Sequence, residues 1–183
     1  MENKSWFQQP EMIVGLSALL VSLVAVGVAL YSAYIDRAYA RASVWPRLEV
    51  GRSFNSDVYA YLVTNNGTGP AVVKWAELTL KGKPQIHWHQ YMASIAGDKK
   101  PDADKIHYGQ SHISTSVLPA TKQIKVMSSD EPELIAMLHQ ASSETDLKLC
   151  YCSIYDECWT TSWKQPQPLA VDDCITPQQA FSQ

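Results

Sequence analysis

Met12–Ile35 reads MIVGLSALLVSLVAVGVALYSAYI, and no side chain in it carries a charge. About 20 apolar residues, each rising 1.5 Å, cross a hydrocarbon core of roughly 30 Å, so the stretch predicts a transmembrane helix. Lipid offers no partner to a backbone N–H or C=O, and a helix satisfies both within the segment. Trp6 and Phe7 ahead of the span, with Tyr31 and Tyr34 near its end, suit the headgroup layer where amphipathic rings settle. An export signal would carry a shorter apolar region, about 7 to 15 residues, behind a basic lead. Here Lys4 is offset by Glu2 and Glu11, so a retained anchor is expected even though Ala38-Tyr39-Ala40 supplies small residues of the cleavage type.

Small residues within the span follow a three-four spacing. Gly15, Ala18, Ser22, Ala25, Ala29 and Ser32 share one helical stripe, while Leu16, Leu20, Leu23 and Val24 lie elsewhere. Close backbone approach is the main attraction between helices in lipid, so the stripe predicts a packing seam for a second copy or another membrane protein. The helix should continue through Asp36–Arg41 and stop before Pro46. Arg37 and Arg41 then form a membrane-proximal basic flank, able to meet anionic headgroups at about 1 kcal/mol per charge. An ordinary solvated flank is the expectation.

These features divide the chain into a flank (1–11), the span with its juxtamembrane extension (12–43), a folded domain (44–165) and a tail (166–183). The tail is expected to be flexible, because its prolines, glutamines and serines offer no core. A net charge of −3 supplies no positive field, so no nucleic-acid partner is expected. Lys4 precedes the span, whereas Arg37, Arg41, Arg47 and Arg52 follow it, and the positive-inside bias therefore places the domain in the cytoplasm. The even count of 4 cysteines points the other way, to a periplasmic domain with disulfides. The expectation is a single-pass inner-membrane protein facing the cytoplasm, with the periplasm as the alternative.

From Arg47 onward short strands are expected. They are Leu48–Arg52, Val58–Thr64, Ala71–Leu80, His112–Leu118, Thr121–Met127, Asp146–Ile154 and Cys158–Trp163, rich in alternating Val, Ile, Tyr and Thr. Asn65-Asn66-Gly67-Thr68-Gly69-Pro70 is a turn, since Asn and Gly tolerate positive φ and Pro presets its own. Gln85–Ala96 reads as a helix with an apolar face of Trp88, Tyr91, Met92 and Ile95. His87 and His89, two apart, diverge on such a helix and make a poor metal pair. Asp98–Gln110 is a polar loop. Asp130-Glu131-Pro132-Glu133 has capping-box spacing ahead of a short helix through Leu134, Ile135 and Leu138. About seven strands without a βαβ rhythm, plus two short inserted helices, imply an antiparallel β-sandwich.

Leu62-Val63-Thr64-Asn65-Asn66-Gly67 followed by Pro70-Ala71 resembles the second-to-third-strand corner of Ig-like adhesion and scaffold modules. The order of anchor, Arg-Ala-Ser-Val-Trp-Pro, Asn-Asn-Gly-Thr-Gly-Pro-Ala and a closing Cys-Tyr-Cys-Ser hairpin is similar to a group of uncharacterised bacterial single-pass membrane proteins with an Ig-like domain. The resemblance implies an Ig-like sandwich and transfers no functional residue.

Cys150, Cys152 and Cys158 form the one chemical constellation. Cys150 and Cys152 share a strand face, so buried structural thiols, a bridge between Cys152 and Cys158, or a zinc site are conceivable, in that order of expectation. The bridge requires the two residues to face each other across the hairpin. Nucleophile-elbow, phosphate-loop and paired-histidine signatures are lacking, so neither an enzyme nor a cofactor or metal is expected. The sequence reads as a membrane-anchored interaction module, an accessory subunit or scaffold. A cysteine-based redox or metal-responsive regulator is the second reading.

Overall fold

The computed structural model describes residues 9–97 and 107–182. Trp6, Phe7, most of the 1–11 flank and most of the Asp98–Gln110 loop lie outside the described residues. The chain divides into two compact units, one ending at Ala42 and one beginning at Ser43.

The first unit holds α1, Pro10–Ser43, whose 34 residues rise about 51 Å. Pro10 opens it, where a missing N–H costs nothing, and the Gln9 carbonyl accepts from Met12 and Ile13. The helix is long and apolar enough to cross a membrane, and none of its residues is buried. The hydroxyls of Ser17 and Ser22 turn back to the carbonyls of Val14 and Ala18 at 2.8 and 2.7 Å, which satisfies them within the helix.

The second unit is mainly β, with two antiparallel sheets. The first sheet has the order β1-β2-β7-β5, from Leu48–Phe54, Tyr59–Asn65, Gln123–Ser129 and Gly109–Gln110. In the second, β10 (Gln165–Val171), β9 (Cys158–Ser162), β8 (Thr145–Cys152), β3 (Ala71–Leu80) and β4 (Lys83–Gln85) lie side by side, and β6 (Val117–Leu118) also pairs with β3. Two helices, α2 (Trp88–Ala96) and α3 (Pro132–Ala141), complete it. The period-two pattern explains the core: Tyr59, Tyr61 and Val63 of β2 point inward, as do Leu147, Leu149 and Tyr151 of β8. Trp88, Tyr91 and Met92 of α2 and Leu134, Ile135 and Leu138 of α3 join the same cluster.

Among the described residues ten strands stand where about seven were expected. The extra ones include two very short pairings, β4 and β5, too brief to carry a periodic signal. His112–Leu118 is not one strand. Thr115 takes a positive φ of 56°, and the Ser116 hydroxyl donates to Ile113 O at 2.6 Å, so local hydrogen bonds turn the chain and leave only Val117–Leu118 to pair. At α2 the helix begins three residues later than expected, because Gln85 belongs to β4 and His87 caps the helix through Nδ1, which accepts from Gln90 N–H at 3.0 Å. The expected capping box does not form: Glu131 occupies the N-cap of α3 without a side-chain bond, and Pro132 opens the helix.

The stretch expected as a coreless tail is part of the domain. Residues 165–171 form β10 against β9, Cys174 is bridged, and Phe181 is buried edge-on to Trp88 with its N–H donated to Ala76 O at 2.9 Å. Phe181 and Cys174 supply the apolar contacts that a count of Pro, Gln and Ser overlooks.

Where the chain enters the domain, the Asn65–Pro70 turn closes on Val44–Arg47. Asn65 is fully buried, and its Oδ1 accepts from the N–H groups of Arg47 and Gly67 at 3.1 and 3.0 Å. Its Nδ2 faces the carbonyls of Gly69, Leu118 and Pro119 at 2.8, 3.1 and 3.2 Å. One amide therefore ties three segments of backbone together. A Cβ on Gly67 would fall on the Trp45 carbonyl, and one on Gly69 on that of Val44, so both glycines are required by close approach.

Candidate functional site

The cysteines lie on the face of the second sheet that turns away from the main core. Along β8, Leu147, Leu149 and Tyr151 take the core face, so Cys150 and Cys152 take the opposite one together, as alternation requires. On β3 a register shift between Val73 and Trp75 reverses the phase. Val73 faces the core, Lys74 is passed over, and Trp75 is delivered to the cysteine face while Ala76 and Leu78 return to the core.

The ladder sets Cys152 directly opposite Cys158, with Cα atoms 4.0 Å apart, and the two are bridged. Cys150 is bridged to Cys174, 24 residues on, with Cα atoms 5.7 Å apart. No free cysteine remains. Free buried thiols, the leading expectation, are thereby corrected: register brings one pair together, and the returning chain brings the other. Cys174 was not singled out beforehand, because 4 cysteines allow three pairings and only the path of the chain after β10 selects among them. Sulfurs of the two bridges approach closely, Cys152 Sγ lying 3.7 Å from Cys174 Sγ. Cys152, Cys158 and Cys174 have sulfurs within 4.8 Å of one another, yet each is consumed in a bridge. Trp75 packs against this cluster, and its buried indole Nε1 has no hydrogen-bond partner. The hairpin turns at Tyr155-Asp156-Glu157 as expected, pinned by Ser153 Oγ, which accepts from Tyr155 N–H at 3.1 Å and Glu157 N–H at 3.3 Å.

The seam residues Gly15, Ala18, Ser22, Ala25, Ala29 and Ser32 all fall within α1, as do Arg37 and Arg41 in its last turns. Other residues that invited a chemical reading are separated. His87 is occupied as a cap, with its ring 6.2 Å from that of His89. Trp75 is buried, and Trp163 is half-buried beneath the Arg52 guanidinium.

Buried tyrosines cross-link the core. Tyr61 Oη meets Tyr91 Oη at 2.9 Å, Tyr91 Oη meets Thr145 Oγ1 at 2.9 Å, and Thr145 donates to Ala141 O at 2.9 Å. Burial pushes the Tyr61 and Tyr91 hydroxyls above the usual phenol range, since an ionised oxygen there would lose its water. Tyr151 accepts from Leu48 N–H at 3.2 Å, linking the sheets, and burial pushes it up to about 12. The chain matches no family model, no curated protein and no solved structure.

Proposed function

We propose that this chain is a membrane-anchored, non-catalytic interaction module, an accessory subunit or scaffold, with α1 as a retained span. One observation carries the reading: α1 is apolar around its circumference and buries none of its residues, whereas the second unit has a complete core of its own. An uncovered apolar helix of that length needs lipid, another membrane protein or a second copy of this chain around it. The small-residue stripe supplies the lateral contact and the β domain the contact outside the bilayer. An Ig-like arrangement is part of the same proposal, supported by two antiparallel sheets between which the chain crosses at the Asn65–Pro70 corner. Purification in mild detergent should retain a specific partner or a homo-oligomer, and Ala25→Leu with Ala29→Leu should weaken that complex. An unchanged complex refutes the seam.

We place the domain on the oxidising face of the membrane, the periplasm in a bacterium. Two disulfides persist outside the cytoplasm and are reduced inside it. The opposing charge bias is small once the folded domain is considered. Arg47 and Arg52 belong to the folded domain, which leaves Arg37 and Arg41 against Lys4 as the charges beside the span. Whole domains also translocate largely regardless of charge. A reporter fused after Gln183 should be active only outside the cytoplasm, and peptide mapping without reductant should return the pairs Cys150–Cys174 and Cys152–Cys158. A reporter active only inside restores the cytoplasmic reading.

The adjacency of the two bridges also favours a second reading, a thiol-responsive regulator. An external thiol that opens the Cys152–Cys158 bridge at Cys158 leaves a Cys152 thiolate 3.7 Å from Cys174, positioned to displace Cys150. Replacing Cys150, Cys152 and Cys158 by Ser should abolish a response to reductant if this reading holds.

A further inference from the structure

We infer that the second unit carries a binding pocket for a small monocarboxylate with a flat apolar body, centred on Arg52. A cavity of about 210 Å³ is lined by Arg52 and Phe54 of β1, Tyr59 of β2, His139 and Ser142 at the end of α3, and Trp163 beyond β9. Strand alternation puts Arg52 and Phe54 on one face of β1, and the register sets Phe54 opposite Tyr59.

Two stacked pairs hold the groups in place. The guanidinium carbon of Arg52 lies 3.9 Å from the centre of the Trp163 ring, and the Phe54 and His139 rings stack at 4.3 Å with 17° between their planes. A guanidinium held over an indole face keeps its edge for a planar, bidentate acceptor, the geometry that a carboxylate offers.

That edge has no acceptor among the described residues. Among the described residues no carboxylate lies within ion-pair distance of Arg52, in contrast to Arg47 and Lys81, each of which has one. One terminal nitrogen of Arg52 is buried without a hydrogen-bond partner. Unsatisfied groups of this kind are scarce in folded proteins, and Arg52 is the charged donor among the residues that line this cavity. A single permanent charge among the lining residues suits a monoanion better than a dianionic phosphate, and the Phe54, Tyr59 and Trp163 rings suit a planar apolar remainder.

Benzoate is the probe, with benzamide as its uncharged counterpart, titrated into the full chain in mild detergent and followed by calorimetry. Benzoate should bind saturably, and benzamide should bind about tenfold more weakly, since it lacks the charge that strengthens the hydrogen bond to Arg52. Arg52→Gln should weaken benzoate by about tenfold or more while leaving benzamide nearly unchanged. Equal affinity for the two compounds overturns the proposal, as does a lack of saturation by about 10 mM benzoate, where the affinity would be negligible. The comparison of the two compounds on the unaltered chain needs no variant, so a failure of Arg52→Gln to fold leaves the test intact.

Discussion

Replacing Asn65 by Ala removes the amide that holds the corner at the domain entrance. Two N–H groups, from Arg47 and Gly67, lose their acceptor, and three carbonyls, from Gly69, Leu118 and Pro119, lose their donor. The site is fully buried, so water does not replace these bonds without opening the turn. At a net value near 1 kcal/mol per hydrogen bond, and with Nδ2 sharing its two hydrogens among three carbonyls, the expected loss is about 4 to 5 kcal/mol. Such a loss consumes much of the 5 to 15 kcal/mol that typically separates a folded domain from its unfolded chain. Urea unfolding of the full chain in mild detergent, followed by tryptophan fluorescence, should show a lower midpoint with an unchanged slope. Asn65→Asp sharpens the test, because it preserves the acceptor but turns an oxygen toward the three carbonyls, and it should be at least as damaging. Asn66→Ala is the control: that side chain is exposed and, among the described residues, bonds Glu49 alone at 2.7 Å, so its removal should cost under about 1 kcal/mol. A loss below about 1 kcal/mol for Asn65→Ala would refute the assignment of Asn65 as the organising residue of this corner.

Three further outcomes follow from the packing. Gly69→Ala should destabilise the domain severely, because its Cβ meets the Val44 backbone, whereas Gly51→Ala meets only Leu62 Cβ at 3.9 Å and should be neutral or slightly stabilising; the same urea titration compares them. Phe181→Ala should cost about 3 to 5 kcal/mol in that assay if the C-terminal segment completes the core, and nearly nothing if it is a loose tail. Raising the pH should destabilise the domain from about pH 10, the unfolded phenol value: the folded tyrosines bind their protons more tightly, so stability present below that pH is lost as it rises toward the folded value, about 12 for Tyr151. Phenolate absorbance should accordingly show Tyr151 titrating near 12 and Tyr61 and Tyr91 ionising only with unfolding, and ordinary titration of all three near 10 would contradict their burial.

Most of the long elements could be read from local pattern. The three-four rhythm of α2, the alternation of β2 and β8 and the turn residues of Asn65–Pro70 carry their own signals, because each depends on neighbours within a few positions. Alternation also placed Cys150 and Cys152 on one face. It failed on β3, where the Lys74 bulge reverses the face of every later residue, and such a shift leaves no mark in a pattern of apolar and polar letters. Composition misled in the C-terminal segment, where Cys174 and Phe181 matter individually although their neighbours resemble a linker. The expected capping box at Asp130 gave way to a start at Glu131, since Pro132 had already set the backbone for the first helical turn.

Arg52 shows the limit most plainly. In sequence it is one more basic residue after the span; in the fold it lies on Trp163, 111 positions later in the numbering, with one terminal nitrogen buried and unpartnered. What the amino-acid order determined alone is the apolar length of α1 and the alternation of its strands, both consequences of how a backbone repeats. Tertiary structure decided which cysteines join, where the tail returns and which charged group lacks a partner, because those depend on distances between residues that the chain brings together only when it closes its core.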